Sequence, residues 1–238
     1  ENDDRREAGF WQDMEVFRDM MLDLQNKLPV PAEKQVMWIE DAVGASTLLA
    51  MSWPTIYMTD GGRLWGLDAV QGFANGWSDA DVRAKMYAAW VGIATGFPQA
   101  GGYPLELSQA MIEPQHQLGV KFEGRTPKWS SDLDGVFWTI DGSDKAVARF
   151  DSDSAENVML SQGTVADLDD LLFLMGYREY EENKGGVEIH ERYVEDWRRT
   201  YERCLEWGKD IRDRGGNTVA DLGARRGYWE KILGAMRR

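Results

Sequence analysis

The sequence predicts an α+β protein that is predominantly helical, with a small antiparallel β-sheet in the middle of the chain. Apolar residues recur at helical spacing near both ends, whereas short β-prone segments separated by turn residues lie between about residues 120 and 150. Apolar residues make up 43% of the 238 residues, enough for a core without disulfides or metals. We therefore expect a mainly helical part over residues 1–119. A β-hairpin sheet followed by helices should occupy residues 120–238, packed with the first part as one body.

The first helix is predicted over about residues 4–28, where apolar residues recur at alternating steps of four and three. They are Phe10, Met14, Phe17, Met21, Leu24 and Leu28. This spacing forms one apolar face and also a short coiled-coil seam, so it suits either the protein's own core or a partner helix. The first four of these residues are candidate binding residues. Pro29 and Pro31 end the helix.

A second helix is predicted over residues 32–50, followed by a stretch rich in glycine and aromatic residues over residues 53–77. We expect turns and short irregular pieces in that stretch. Aromatic side chains among glycines can form a stacking platform for sugars or bases, or the anchor of a protein interface. Trp53, Trp65 and Trp77 are therefore candidate binding residues. The alternative is a loop that packs these rings against the protein's own core.

Short strands are predicted at residues 120–122, 136–140 and 146–150, with a β-hairpin turn at residues 141–144 between the last two. Helices return after Gly163. The pentapeptide Thr-Val-Ala-Asp-Leu occurs at residues 164–168 and again at 218–222, and each copy is predicted to cap a helix through its threonine. Between them, a long helix over residues 188–214 carries a stripe formed by Ile189, Tyr193, Trp197, Tyr201, Leu205 and Ile211.

One string resembles a catalytic motif. Residues 132–138, Asp-Leu-Asp-Gly-Val-Phe-Trp, resemble the first motif of haloacid-dehalogenase-like phosphatases. The resemblance implies that Asp132 is a nucleophile and Asp134 a general acid/base, with Mg²⁺ between them and a phosphate. Two carboxylates two residues apart on a loop can share a hard cation. The resemblance covers seven residues, and residues 126–131 before it are not the buried apolar strand of that family, so a turn before a strand is the alternative.

Other familiar site patterns are incomplete. His116 and His190 lack a second ligand at zinc spacing, and Cys204 is expected to be a packed residue of the long helix. Residues 151–162 begin like a calcium-binding loop but lack its Gly at position six and its final Glu. No phosphate-binding glycine loop is present. The prediction is therefore that the protein has no metal site and no cofactor.

The charge of the chain limits the kinds of partner that it can bind. The net charge of −14 disfavours binding to nucleic acid and favours a soluble protein. Residues 212–238 carry seven basic and three acidic residues, which suits either docking on an acidic surface, including another copy, or complementing a helix dipole. No apolar run is long enough for a transmembrane helix. A single cysteine fits a reducing compartment, so a cytoplasmic location is expected.

Three functional hypotheses follow from these features. The leading one is a non-enzymatic protein-binding or assembly subunit that acts through helical and aromatic surfaces, with another protein or a second copy as partner. The first alternative is a metal-dependent, phosphatase-like hydrolase that uses Asp132 and Asp134. The second is a binder of carbohydrate or another small ligand through residues 53–77.

Overall fold

A computed structural model describes residues 14–31, 34–68, 70, 72, 75, 77–143, 145–181, 184–216 and 218–236. Over these residues, helices dominate and two three-stranded sheets form, which confirms the predicted α+β class. The helices are α1 Met14–Lys27, α2 Ala45–Ala50, α3 Ala80–Ala100, α4 Leu105–Ala110, α5 Ser152–Asn157, α6 Leu168–Leu174, α7 Gly185–Asp213 and α8 Val219–Met236. The strands are β1 Met37–Val43, β2 Ile56–Trp65, β3 Leu118–Glu123, β4 Thr126–Ser130, β5 Trp138–Asp141 and β6 Arg149–Asp151.

The chain divides into two compact units, Glu1–Arg178 and Glu179–Arg238. The boundary expected near residue 119 lies inside the first unit, at the start of β3, and as a division into domains it stays a prediction. Among the described helices, none is long and apolar enough to cross a membrane.

The first sheet joins distant parts of the first unit in the order β1-β2-β6. β1 and β2 are parallel and are connected through α2, and β6 adds antiparallel to β2. One row of the sheet buries Ala42, Leu64 and Phe150, because side chains on paired strands share a face. The neighbouring row faces the other way and includes Arg63, whose guanidinium binds the Asp41 carboxylate through contacts of 2.9 and 2.7 Å.

This sheet corrects two sequence predictions. Residues 37–43 form a strand rather than part of a helix over 32–50, and residues 56–65 form a strand rather than irregular loop. The register is interrupted between Ile39 and Asp41, where residues 59–62 of β2 lie opposite the single residue Glu40, so β2 has three extra residues. Gly61 lies there at a φ of 67°, a conformation that favours glycine. The glycines that predicted a loop therefore allow a bulge inside a continuous strand.

The second sheet is antiparallel, in the order β4-β3-β5, and lies in the middle of the chain as predicted. Its tight hairpin joins β3 to β4 around Gly124, which has a φ of 65°. The predicted β-hairpin at residues 141–144 is wrong, because β5 pairs with β3 whereas β6 pairs with β2 in the other sheet. The turn residues at 142–143 thus connect two sheets rather than two paired strands.

One core of buried side chains lies between the two sheets and helices α2 to α5. The indole of Trp129 meets the ring of Phe150 edge to face, with 6.1 Å between ring centroids, and so links the second sheet to the first. The largest fully buried side chains are Phe97, Phe150, Leu48, Met51, Ile56, Met58, Leu64, Leu67, Leu107, Met111 and Ile112.

The repeated pentapeptide adopts two different structures. At residues 218–221 the amide of Asp221 donates to the Thr218 hydroxyl at 3.2 Å and the Asp221 carboxylate accepts from the Thr218 amide at 3.1 Å, which is the predicted cap. At residues 164–168 the prediction is wrong, since Asp167 caps α6 by accepting from the amide of Asp170 at 2.9 Å. Thr164 is instead bridged to Met58 of β2, and the helix begins at Leu168, three residues later than a threonine cap at residue 164 would place it.

Candidate interaction surface

The aspartates of the phosphatase-like string lie on an exposed loop between β4 and β5. The Asp132 carboxylate accepts from the amide of Asp134 at 3.0 Å, and the carbonyl of Asp134 accepts from the ammonium group of Lys121 at 2.7 Å. Gly135 follows with a φ of 66°. This is the geometry of a capped turn. In the described part of the chain, no group of three or more His, Cys, Asp and Glu side chains is placed to hold a metal, and the hydrolase hypothesis stays a prediction.

The three candidate tryptophans have different surroundings. Trp53 is buried, and its indole N–H donates to the side-chain oxygen of Gln35 at 3.1 Å. Trp65 is half-buried, and the guanidinium groups of Arg63 and Arg149 lie 4.9 and 5.0 Å from its ring centroid. Trp77 is exposed. Core packing and cation–π contacts thus account for the first two rings, and a ligand site over residues 53–77 stays a prediction.

Only part of the predicted N-terminal seam can be placed. Phe10 lies outside the described residues, and the side chains of Met14 and Phe17 are not described. Met21 is half-buried on the side of α1 that also carries Arg18, Leu22 and Gln25. The Gln25 side chain donates to the carbonyl of Ser52 at 2.7 Å, so this side of α1 contacts the rest of the first unit.

A buried polar cluster lies beyond α4. The Glu113 carboxylate is buried and accepts from the Tyr87 hydroxyl at 3.1 Å and from the Gln115 amide at 2.9 Å, with His116 Nε2 3.3 Å away. Burial raises the pKa of Tyr87. Since its groups bond to one another, the cluster serves to satisfy a buried carboxylate.

The second unit is an antiparallel helical hairpin that carries many exposed apolar side chains. Its helices, α7 and α8, have 29 and 18 residues and are joined by five. The Lys231 ammonium lies 5.9 Å from the Trp207 ring centroid, and the Arg214 guanidinium lies 5.6 Å from that of Tyr228. These contacts set the two helices side by side, and a cavity of about 330 Å³ remains between them near Thr200.

The hairpin has very little core of its own. Among the described residues of this unit, Ile232 is the only side chain that is buried. The inner sides of the helices are only half-buried and carry Thr200, Cys204, Trp207 and Ile211 on α7, and Tyr228 and Ala235 on α8. Cys204 is thus a packed residue of the helix, as expected.

A second side of each helix is apolar and exposed. We call this surface the hairpin face; it comprises Trp197, Tyr201 and Leu205 of α7 and Leu222, Trp229, Leu233 and Met236 of α8. Exposed fractions range from 36% at Tyr201 to 75% at Met236. On α8 these residues recur at steps of seven, four and three, and on α7 at steps of four, so each set follows one side of its helix.

Both sets lie on the same side of the hairpin. Successive residues of a helix are turned by about 100° about its axis. On this basis the exposed apolar residues of each helix lie roughly 90–100° around the helix axis from its inner side, and the turn has the same sense in α7 and α8 when each helix is followed from its N-terminus. Because the helices are antiparallel, rotation in the same sense turns both sets toward one side. The two stripes together form one continuous apolar face.

α7 also extends past the end of α8. Ile189 and Tyr193 lie on its inner side but are 62% and 68% exposed, since α8 ends opposite the region of Thr200. The sequence analysis predicted the apolar stripe of α7 but not that of α8. For α8 it considered only the basic residues, as complements of the helix dipole or as a docking site for an acidic surface. The heptad spacing of Leu222, Trp229 and Met236 is the signal that identifies the α8 stripe.

Comparison with protein-family models, with curated proteins and with solved structures finds no match to this chain.

Proposed function

We propose that this protein is a non-enzymatic assembly subunit that binds another protein through the hairpin face. The observation that carries the proposal is one apolar face, formed by seven large side chains, on a hairpin whose described residues include a single buried one. Large exposed apolar patches on proteins mark interaction sites, because leaving them in water is unfavourable.

The small internal core of the described hairpin residues supports the same proposal through the stability of the helices. Helices in proteins gain most of their stability from packing an apolar side rather than from intrinsic propensity. Since Ile232 is the one side chain of α7 and α8 that is buried among those described, the two helices have little of that stabilisation. Covering the hairpin face would supply the missing burial, so binding and ordering of the hairpin would be coupled.

The residue types on the face also suit protein recognition. Tryptophan and tyrosine dominate binding energies at interfaces, and three of the seven residues of the face are of these types. The edge of the face is polar: Arg226 binds Glu230 with a contact of 2.8 Å, and Arg198 and Glu202 line the edge on α7. An aromatic centre with a polar edge is the usual composition of a specific interface.

Site-specific photo-crosslinking tests the proposal. Leu233 is replaced by p-benzoylphenylalanine in the full chain, and the cells that naturally make the protein are irradiated. The matched control carries the same replacement at Asp210, an exposed residue on the opposite side of α7. A protein adduct from position 233 that is absent from position 210 is expected, and adducts should map to one recurring segment. Equal or absent adducts at both positions would contradict the proposal.

A further inference from the structure

We infer that the occupant of the hairpin face is the hairpin of a second copy, so that two chains form a four-helix bundle. This inference rests on the proposed function, because it names the partner of the same surface. Two-helix hairpins that pair face to face are a standard route to such bundles. A two-fold interface requires only that the face be complementary to itself.

The area of the face matches what a stable dimer needs. Seven side chains about half exposed offer roughly 100 Å² each, or roughly 700 Å² per chain. Specific interfaces bury about 800 Å² per partner. Pairing two copies therefore covers the face without a further protein.

Charge favours a second copy over a strongly charged partner. The second unit contains thirteen acidic and thirteen basic residues, so the net charge of −14 belongs entirely to the first unit. A basic partner would find no net attraction at the hairpin. The edge of the face carries both signs on each helix, Arg198 with Glu202 and Arg226 with Glu230, so the edges of two copies can complement one another.

Sedimentation velocity of the purified full chain tests this inference, compared with the variants Leu233→Glu and Ala220→Glu. Ala220 is exposed on the opposite side of α8, so its variant adds the same charge to the same helix away from the face. We expect wild type and Ala220→Glu to form dimers of twice the 27.1 kDa chain mass at micromolar concentration. Leu233→Glu should weaken dimerisation by at least about a hundredfold, since each dimer would bury two carboxylates. Circular dichroism of Leu233→Glu and of wild type, both at a concentration where wild type is monomeric, should show the same helix content, which checks that the substitution itself does not unfold the monomer.

The outcomes separate the two proposals. If wild type is a monomer at all concentrations and position 233 gives adducts to a different protein, the inference that the partner is a second copy is wrong, but the proposed assembly function is still supported. A monomer without adducts from position 233 would overturn both. A dimer that Leu233→Glu leaves intact would place the contact elsewhere and would also overturn this inference.

Discussion

The indole of Trp197 and the phenol ring of Tyr201 lie parallel on α7, with 5.3 Å between ring centroids and 6° between ring planes. They are one helical turn apart, and both are exposed. Stacking restricts both side chains before any partner arrives, so less conformational entropy is lost on binding. The pair is therefore suited to anchor the hairpin face.

Removal of this anchor should weaken self-association. Trp197→Ala is expected to raise the dimer dissociation constant at least about tenfold, because large aromatic side chains dominate interface energies. Trp38→Ala, which removes an exposed tryptophan from β1 of the first unit, should leave it unchanged. Sedimentation velocity over a concentration series measures both. Equal effects of the two substitutions would show that the stacked pair is not at the interface.

The two copies of the pentapeptide provide a matched pair of capping variants. Thr218→Ala should destabilise the start of α8 by about 1 kcal/mol, since the Asp221 amide loses its acceptor. Thr164→Ala should leave the start of α6 unchanged, because Asp167 caps that helix. Amide hydrogen exchange in the first turns of α6 and α8 measures both effects. Faster exchange at the start of α6 in Thr164→Ala would contradict the assigned caps.

The cap of α5 predicts a dependence of stability on pH. Hydrogen bonds from the side chain and then the amide of Ser154 hold the pKa of Asp151 below its ordinary value of 3.8. The ionised form therefore stabilises the fold fully above the ordinary value, and this contribution is lost as pH falls through the lowered pKa. Asp151→Asn keeps an acceptor but cannot ionise.

Wild type should exceed Asp151→Asn in free energy of unfolding by about 0.5 kcal/mol at pH 7, since a carboxylate at a helix N-terminus interacts favourably with the helix dipole. The difference should shrink as the pH is lowered below the ordinary value. Urea unfolding at several pH values measures it. A difference that grows on acidification would mean that the carboxylate does not stabilise the cap.

Replacement of glycine by alanine should change the stability of the fold in opposite directions at Gly66 and Gly92. A Cβ at Gly66 would lie 2.2 Å from the carbonyl oxygen of Met111, a backbone atom that itself accepts from the amide of Leu67 at 2.7 Å. Gly66→Ala should therefore cost about 3 kcal/mol or more. Gly92 lies within α3 with open space around its Cβ position, so Gly92→Ala should stabilise by about 0.5–1 kcal/mol. Thermal unfolding compares the two, and equal shifts would contradict the packing at Gly66.

Features set by local sequence were predictable. The stripe on residues 188–214 identified α7, and the Thr218 cap identified the start of α8. Residues 37–43 were misassigned because β1 depends on pairing with β2, a contact between segments that sequence periodicity does not reveal. The same cause separates Thr164 from Thr218, since pairing of Thr164 with β2 delays the start of α6 to Leu168, whereas α8 begins directly after Thr218.

The candidate surface was only half predictable. An amphipathic stripe predicts that a helix has an apolar side but does not state what covers it. The exposure of Trp197 and Leu233 depends on where the inner sides of α7 and α8 meet, which is a property of the folded hairpin.

Amide hydrogen exchange of α7 and α8 in the full chain, at about 1 and 100 µM, most directly tests whether a second chain covers the hairpin face. Mass action predicts that these amides exchange more slowly at the higher concentration in wild type but not in Leu233→Glu. Amides in β2 of the first unit serve as the internal reference and should not change. Equal exchange of α7 and α8 at both concentrations in wild type would contradict the two-chain bundle.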